Sequence, residues 1–91
     1  MKPTDIITIS DIAEITGVAD VVIDGTALWV SPGITPTGRY WTLFTPSHLL
    51  AGVVVELEDG SFDAVIGTRT AHADSAQDAA VAIVAALRGA R

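Results

Sequence analysis

The sequence predicts an α+β fold: an antiparallel sheet of four to five strands, with a short N-terminal helix and a long C-terminal helix packed on one face. Three observations carry that expectation. Residues 74–89 have the caps and composition of a helix, residues 53–57 and 62–66 form two strand-like runs about Glu58-Asp59-Gly60-Ser61, and Asp24-Gly25 separates two further such runs.

A chain of 91 residues suffices for one domain, spanning 1–91, with a modest core. Hydrophobic residues make up 49% and charged residues 18%, which places the chain far from a disordered composition and leaves its surface short of charge. Five Lys and Arg against eleven Asp and Glu give a net charge of −6, with Lys2 the sole lysine and the arginines dispersed at positions 39, 69, 88 and 91. No basic patch results, so nucleic acid and anionic membranes are not expected partners. The absence of cysteine removes disulfides, thiolate nucleophiles and cysteine–zinc sites. Met1-Lys2-Pro3-Thr4-Asp5 does not open a basic-then-apolar leader, and no run approaches the ~18 apolar residues of a membrane span. A soluble cytoplasmic protein is the expectation.

Along the chain, residues 6–18 place Ile9, Ile12 and Ile15 or Thr16 on one side of a two-turn helix, with Thr8 or Ser10 as cap and Gly17 as exit. Val21-Val22-Ile23 and Ala27-Leu28-Trp29-Val30 make the first hairpin, because Gly25 accepts the positive φ of a tight turn. Residues 31–38 hold two prolines and two glycines and read as a loop. Arg39 to Phe44 reads as a central strand with Tyr40 and Phe44 pointing one way and Trp41 and Leu43 the other, covered on both faces. Val53, Val55 and Leu57 are expected to share the core face with Phe62, Ala64 and Ile66 of the next strand, while Glu56 and Glu58 face water. Residues 68–73 show no regular pattern. Asp74 or Ser75 then caps the last helix, and Gly89 supplies a left-handed exit.

Two local resemblances follow. Thr8 or Ser10 ahead of Asp11-Ile12-Ala13-Glu14-Ile15-Thr16-Gly17-Val18 resembles the first helix of helix-turn-helix regulators and excisionases, which implies a second, DNA-reading helix. The chain departs from that pattern immediately, since Ala19-Asp20-Val21-Val22-Ile23-Asp24-Gly25 is acidic and β-branched. The order helix, strands, Ala-rich helix is similar to the double-stranded-RNA-binding domain, whose family grips phosphates with lysines at the start of its last helix. Asp74-Ser75-Ala76-Gln77-Asp78 stands there instead, and its carboxylates repel phosphate.

Chemistry-bearing groups are sparse. Ser47-His48 lies in a Pro-broken stretch without a nucleophile elbow and reads as a solvated loop. His48 and His72, with Asp63 or Asp74, lack metal-ligand spacing. Glu56, Glu58, Asp59 and Asp63 gather about one turn, as a wet face would. Phosphate-binding glycine motifs are absent. No catalytic residue, metal ligand or cofactor site is therefore assigned.

The expected function is that of a non-enzymatic protein-interaction module, a homodimer or a domain docked on another protein, of the kind common among accessory proteins of bacteria and their phages. Its candidate contact residues are Trp29, Tyr40, Trp41 and Phe44, two on each side of the sheet, and Val81, Ala82 and Ala85 on the back of the last helix. Ala76, Ala80, Ile83 and Leu87 form the helix's sheet-facing stripe. Alternative readings are a small regulator of transcription or recombination, resting on residues 8–18, and a small-ligand pocket lined by the aromatics.

Overall fold

A computed structural model describes residues 12–89. It contains a 3-10 turn at Ile12–Glu14, six strands (β1 Ala19–Ile23, β2 Thr26–Thr35, β3 Gly38–Phe44, β4 Leu50–Glu56, β5 Phe62–Ile66 and β6 Arg69–Ala73) and one helix, α1 Ala76–Gly89. The strands form a single antiparallel sheet in chain order, β1-β2-β3-β4-β5-β6. The α+β class holds, with six strands where four to five were expected. The expected N-terminal helix is replaced, over its described part, by the 3-10 turn; residues 6–11 lie outside the described residues.

Turn chemistry builds the meander. Asp24 (φ 51°) and Gly25 (φ 78°) are both left-handed and join β1 to β2 in the mirror-type turn whose twist matches a hairpin. Gly67 (φ 62°) opens the two-residue turn between β5 and β6. Between β4 and β5, the Asp59 carboxylate accepts the Ser61 N–H at 2.9 Å and the Leu57 N–H donates to the Ser61 carbonyl at 2.8 Å.

The stretch read as a loop, residues 31–38, is mostly strand. β2 continues through Pro32 and Gly33 to Thr35, pairing Pro32 with Trp41 and Gly33 with Tyr40. β1 pairs only with residues 26–30 of β2, so among the described residues no strand pairs with the outer side of the far half of β2, where a residue lacking an N–H is tolerated. The Tyr40 ring lies across Gly33, so a side chain at position 33 would have to displace that ring.

β4 corrects the expected side-chain parity. Val54 and Gly52 face the helix, opposite Ala64 and Leu43 respectively, whereas Val53 and Val55 lie on the other face. Three consecutive valines satisfy either parity, and α1 decides between them. A Cβ on Gly52 would meet Ile83 at 2.9 Å, so Gly52 is where the helix presses closest to the sheet.

α1 begins where Ser75 Oγ accepts the Asp78 N–H at 3.0 Å, and it runs through Gly89, so no left-handed exit at that residue ends it. Ala76, Ala79, Ala80, Ile83 and Val84 are buried, and Leu87 is half-buried beside them. At the far end, Arg88 donates to the Asp24 carbonyl at 3.1 Å and stands 3.4 Å from its carboxylate, tying the helix to the β1–β2 turn. The core also takes in Ile12, Val30, Leu43, Val54 and Trp41, whose indole N–H donates to the Ile15 carbonyl at 3.3 Å. The extents of 41 × 34 × 20 Å leave a thickness of one helix and one sheet. No helix among the described residues is long and apolar enough to cross a membrane.

Candidate interaction surface

Alternation along the strands gives the sheet two faces, and α1 with the 3-10 turn covers one of them. The opposite face is not covered by any described element. Its middle is largely apolar: Trp29 on β2, Tyr40 and Phe44 on β3, Val53 and Val55 on β4, and Val65 on β5, all half-buried, with the uncharged hydroxyl residues Ser31 and Thr42 set among them. Val22 on β1 extends it at 63% exposure. Charged groups lie toward the periphery, with Asp20 on the outermost strand β1 and the Asp63–His72 pair, 3.1 Å apart, at the other side.

Register explains the aromatic cluster. Trp29 is paired directly with Phe44, and their rings stack at 4.4 Å with 18° between planes. His48 makes a T-shaped contact with Trp29, the ring centroids 5.5 Å apart. It is held there in a left-handed conformation (φ 69°) by a closed loop, in which the His48 N–H donates to the Thr45 carbonyl and the Thr45 N–H to the Leu49 carbonyl, each at 2.8 Å. The Trp29 indole N–H is buried in this cluster with no acceptor among the described residues.

The seven residues singled out by sequence separate into three groups. Trp29, Tyr40 and Phe44 come together on the open face. Trp41, 1% exposed, lies in the core on the other side, so the aromatics divide three to one and not two to two. On the helix, Val81 and Ala82 are half-buried flanks packed against the core and only Ala85 is exposed. Val53 and Val55 were expected on the core face, because nothing in a run of valines marks which face is covered; the expected parity of β5, with Phe62 and Ala64 inward, puts Val65 on the open face as found.

The polar candidates disperse. Ser47 Oγ lies 3.0 Å from Thr45 Oγ1, while His48 is directed to Trp29. Glu56 accepts from Nε and Nη2 of Arg39, at 3.2 and 3.0 Å, and these bonds hold its carboxyl below its ordinary value against an opposing desolvation. Asp59 is lowered likewise by the Ser61 hydroxyl and then its N–H. Among the described residues no group of three His, Cys, Asp or Glu side chains converges as metal ligands would. Residues 15–20 lead from the 3-10 turn straight into β1, so no second helix follows the segment that resembles helix-turn-helix regulators.

Fold and surface together define a half-covered α+β sheet with one apolar face. Comparison with protein-family models, curated proteins and solved structures yields no match.

Proposed function

We propose that the protein is a non-enzymatic interaction module that self-associates through the open face of its sheet. The observation that supports this is the apolar cluster on that face, Trp29, Tyr40, Phe44, Val53, Val55 and Val65, which only the uncharged Ser31 and Thr42 interrupt, with charged groups toward the two sides. Size agrees. Six strands ~4.8 Å apart and five or more residues long give a face of roughly 500 Å², so two pressed together hide about 1,000 Å², the lower bound for a specific interface. Two sheets stacked ~10 Å apart would also complete a two-sided core of the kind sandwiches use. The back of α1 offers less, since among its candidates only Ala85 is exposed.

Acrylamide quenching of tryptophan fluorescence tests the reading, because Trp41 is buried in every state and Trp29 reports the open face. Quenching is expected to rise on dilution of the native chain. Val53→Lys, which places a charge at the centre of the face, is expected to show the diluted value at every concentration while remaining folded. A quenching constant that does not change with concentration sinks the proposal.

A further inference from the structure

We propose that a second contact joins copies edge to edge, with β6 of one chain pairing antiparallel to β1 of the next. The open face and the edges are separate surfaces, so this goes beyond the face-to-face reading.

Both outer strands are five residues long and without a neighbour among the described residues on their outer sides. An even number of antiparallel strands makes β1 and β6 run oppositely. A copy placed beside β6 with its helix on the same face therefore presents β1 in antiparallel sense, continuing the meander.

The backbone fixes the register. Ile23 and Thr26 close a two-residue turn and exchange hydrogen bonds, so by alternation Asp20 and Val22 turn their N–H and C=O groups outward. Ile66 and Arg69 do the same for β6, leaving Thr70 and His72 outward. Setting Thr70 opposite the partner's Val22 and His72 opposite the partner's Asp20 uses all four outward residues and aligns both strands over their full length. It also puts Ala71 opposite the partner's Val21, both on the helix side. No odd shift keeps helix-side residues together, and shifts of two residues lose one of the two bonded pairs.

Side chains then choose between this pairing and its symmetric alternatives. Asp20 has no hydrogen-bond or ionic partner among the described residues, whereas His72 Nδ1 faces Asp63 and leaves Nε2 for a second carboxylate. Pairing β6 with β1 brings these together. Pairing β1 with a second β1 sets the two Asp20 carboxylates diagonally, about 7–8 Å apart, and pairing β6 with β6 leaves Asp20 unmatched. Because the two patches differ, the contact propagates into rings or filaments.

Proline tests it without breaking the sheet, since the N–H groups of residues 22 and 70 point away from β2 and β5. In a Val53→Lys background, which removes the open-face contact, the parent is expected to sediment as species larger than a dimer. Val22→Pro blocks one edge and Thr70→Pro the other, so each alone should be monomeric, while their equimolar mixture forms a heterodimer through the two intact edges. The heterodimer itself shows that both variants are folded. Asp20→Arg, which alters only a side chain, should weaken assembly about tenfold or more. A Thr70→Pro variant that still dimerises alone indicates β1·β1 pairing, a Val22→Pro variant that does so indicates β6·β6 pairing, and a mixture that stays monomeric excludes edge contact; each overturns the proposal. Failure of the face-to-face reading would appear in the quenching experiment and leave these results unchanged.

Discussion

The two tryptophans share a residue type and have opposite surroundings. Trp41 is 1% exposed, packs its ring 6.1 Å from Phe62 and has its N–H satisfied by Ile15, while Arg39 lies over it at 5.0 Å. Trp29 is half-buried and its N–H is buried without an acceptor among the described residues, a condition that costs about 1–3 kcal/mol. Replacing each by phenylalanine should therefore give unequal results. Trp41→Phe leaves a cavity and strips the Ile15 carbonyl of its donor, and is expected to cost about 2–3 kcal/mol. Trp29→Phe removes an unsatisfied donor along with some stacking area, and is expected to stay within about 1 kcal/mol of the native chain. Urea unfolding of the two variants measures the difference; equal losses would mean that the orphaned indole N–H has no energetic weight. The parity of Trp41 against Tyr40 and Phe44 was readable from strand alternation alone. That Trp29 joins Tyr40 and Phe44 was not, because it depends on the pairing of β2 with β3, which no property of Trp29 reveals.

At the scale of elements, legibility followed amplitude. The two hairpins with strong turn signals and the capped helix were readable, since Asp24-Gly25, Glu58-Asp59-Gly60 and Ser75 each have one favoured conformational use. β6 went unread because its inward residues, Ala71 and Ala73, are too small to raise a period-two signal above Thr70 and His72. The far half of β2 is not legible because Pro32 and Gly33 are loop residues, made acceptable by an outer side with no paired strand among the described residues and by the overlying Tyr40 ring. β4 was placed with the wrong face inward because the helix, and not the strand, selects Gly52 and Val54. The same strand carries a cross-strand tie whose strength depends on acid. Arg39 bonds hold the Glu56 carboxyl low in the folded protein, so its anion is favoured there. The resulting stability is complete above the unfolded carboxylate value of about 4.3 and is lost as pH falls through the depressed folded value. Thermal midpoints from about pH 7 to about pH 3 should therefore show Glu56→Gln less stable than the native chain at neutral pH, with the gap closing in acid. A gap that stays constant would assign the loss to packing.

For the whole molecule, one-sided coverage concentrates stability in a thin core between α1 and the sheet. Ile83 is fully buried over Gly52, at the closest approach of the two layers. A carboxylate there has no partner to meet, and its desolvation costs several kcal/mol against a total stability of about 5–15 kcal/mol for a native domain. Ile83→Asp is expected to abolish cooperative unfolding. Ala85, two residues on, is exposed on the helix's outer surface, so the same substitution there should leave the domain folded. It also separates the surfaces available for association. Contact through the back of α1 would bring Ala85→Asp carboxylates together and lower the sedimenting mass, whereas contact through the open sheet face or its edges leaves them in water on the far side. The expected result is an Ala85→Asp variant with native thermal midpoint, native mass and native concentration-dependent quenching. A folded variant of reduced mass would transfer the interface from the sheet to the helix.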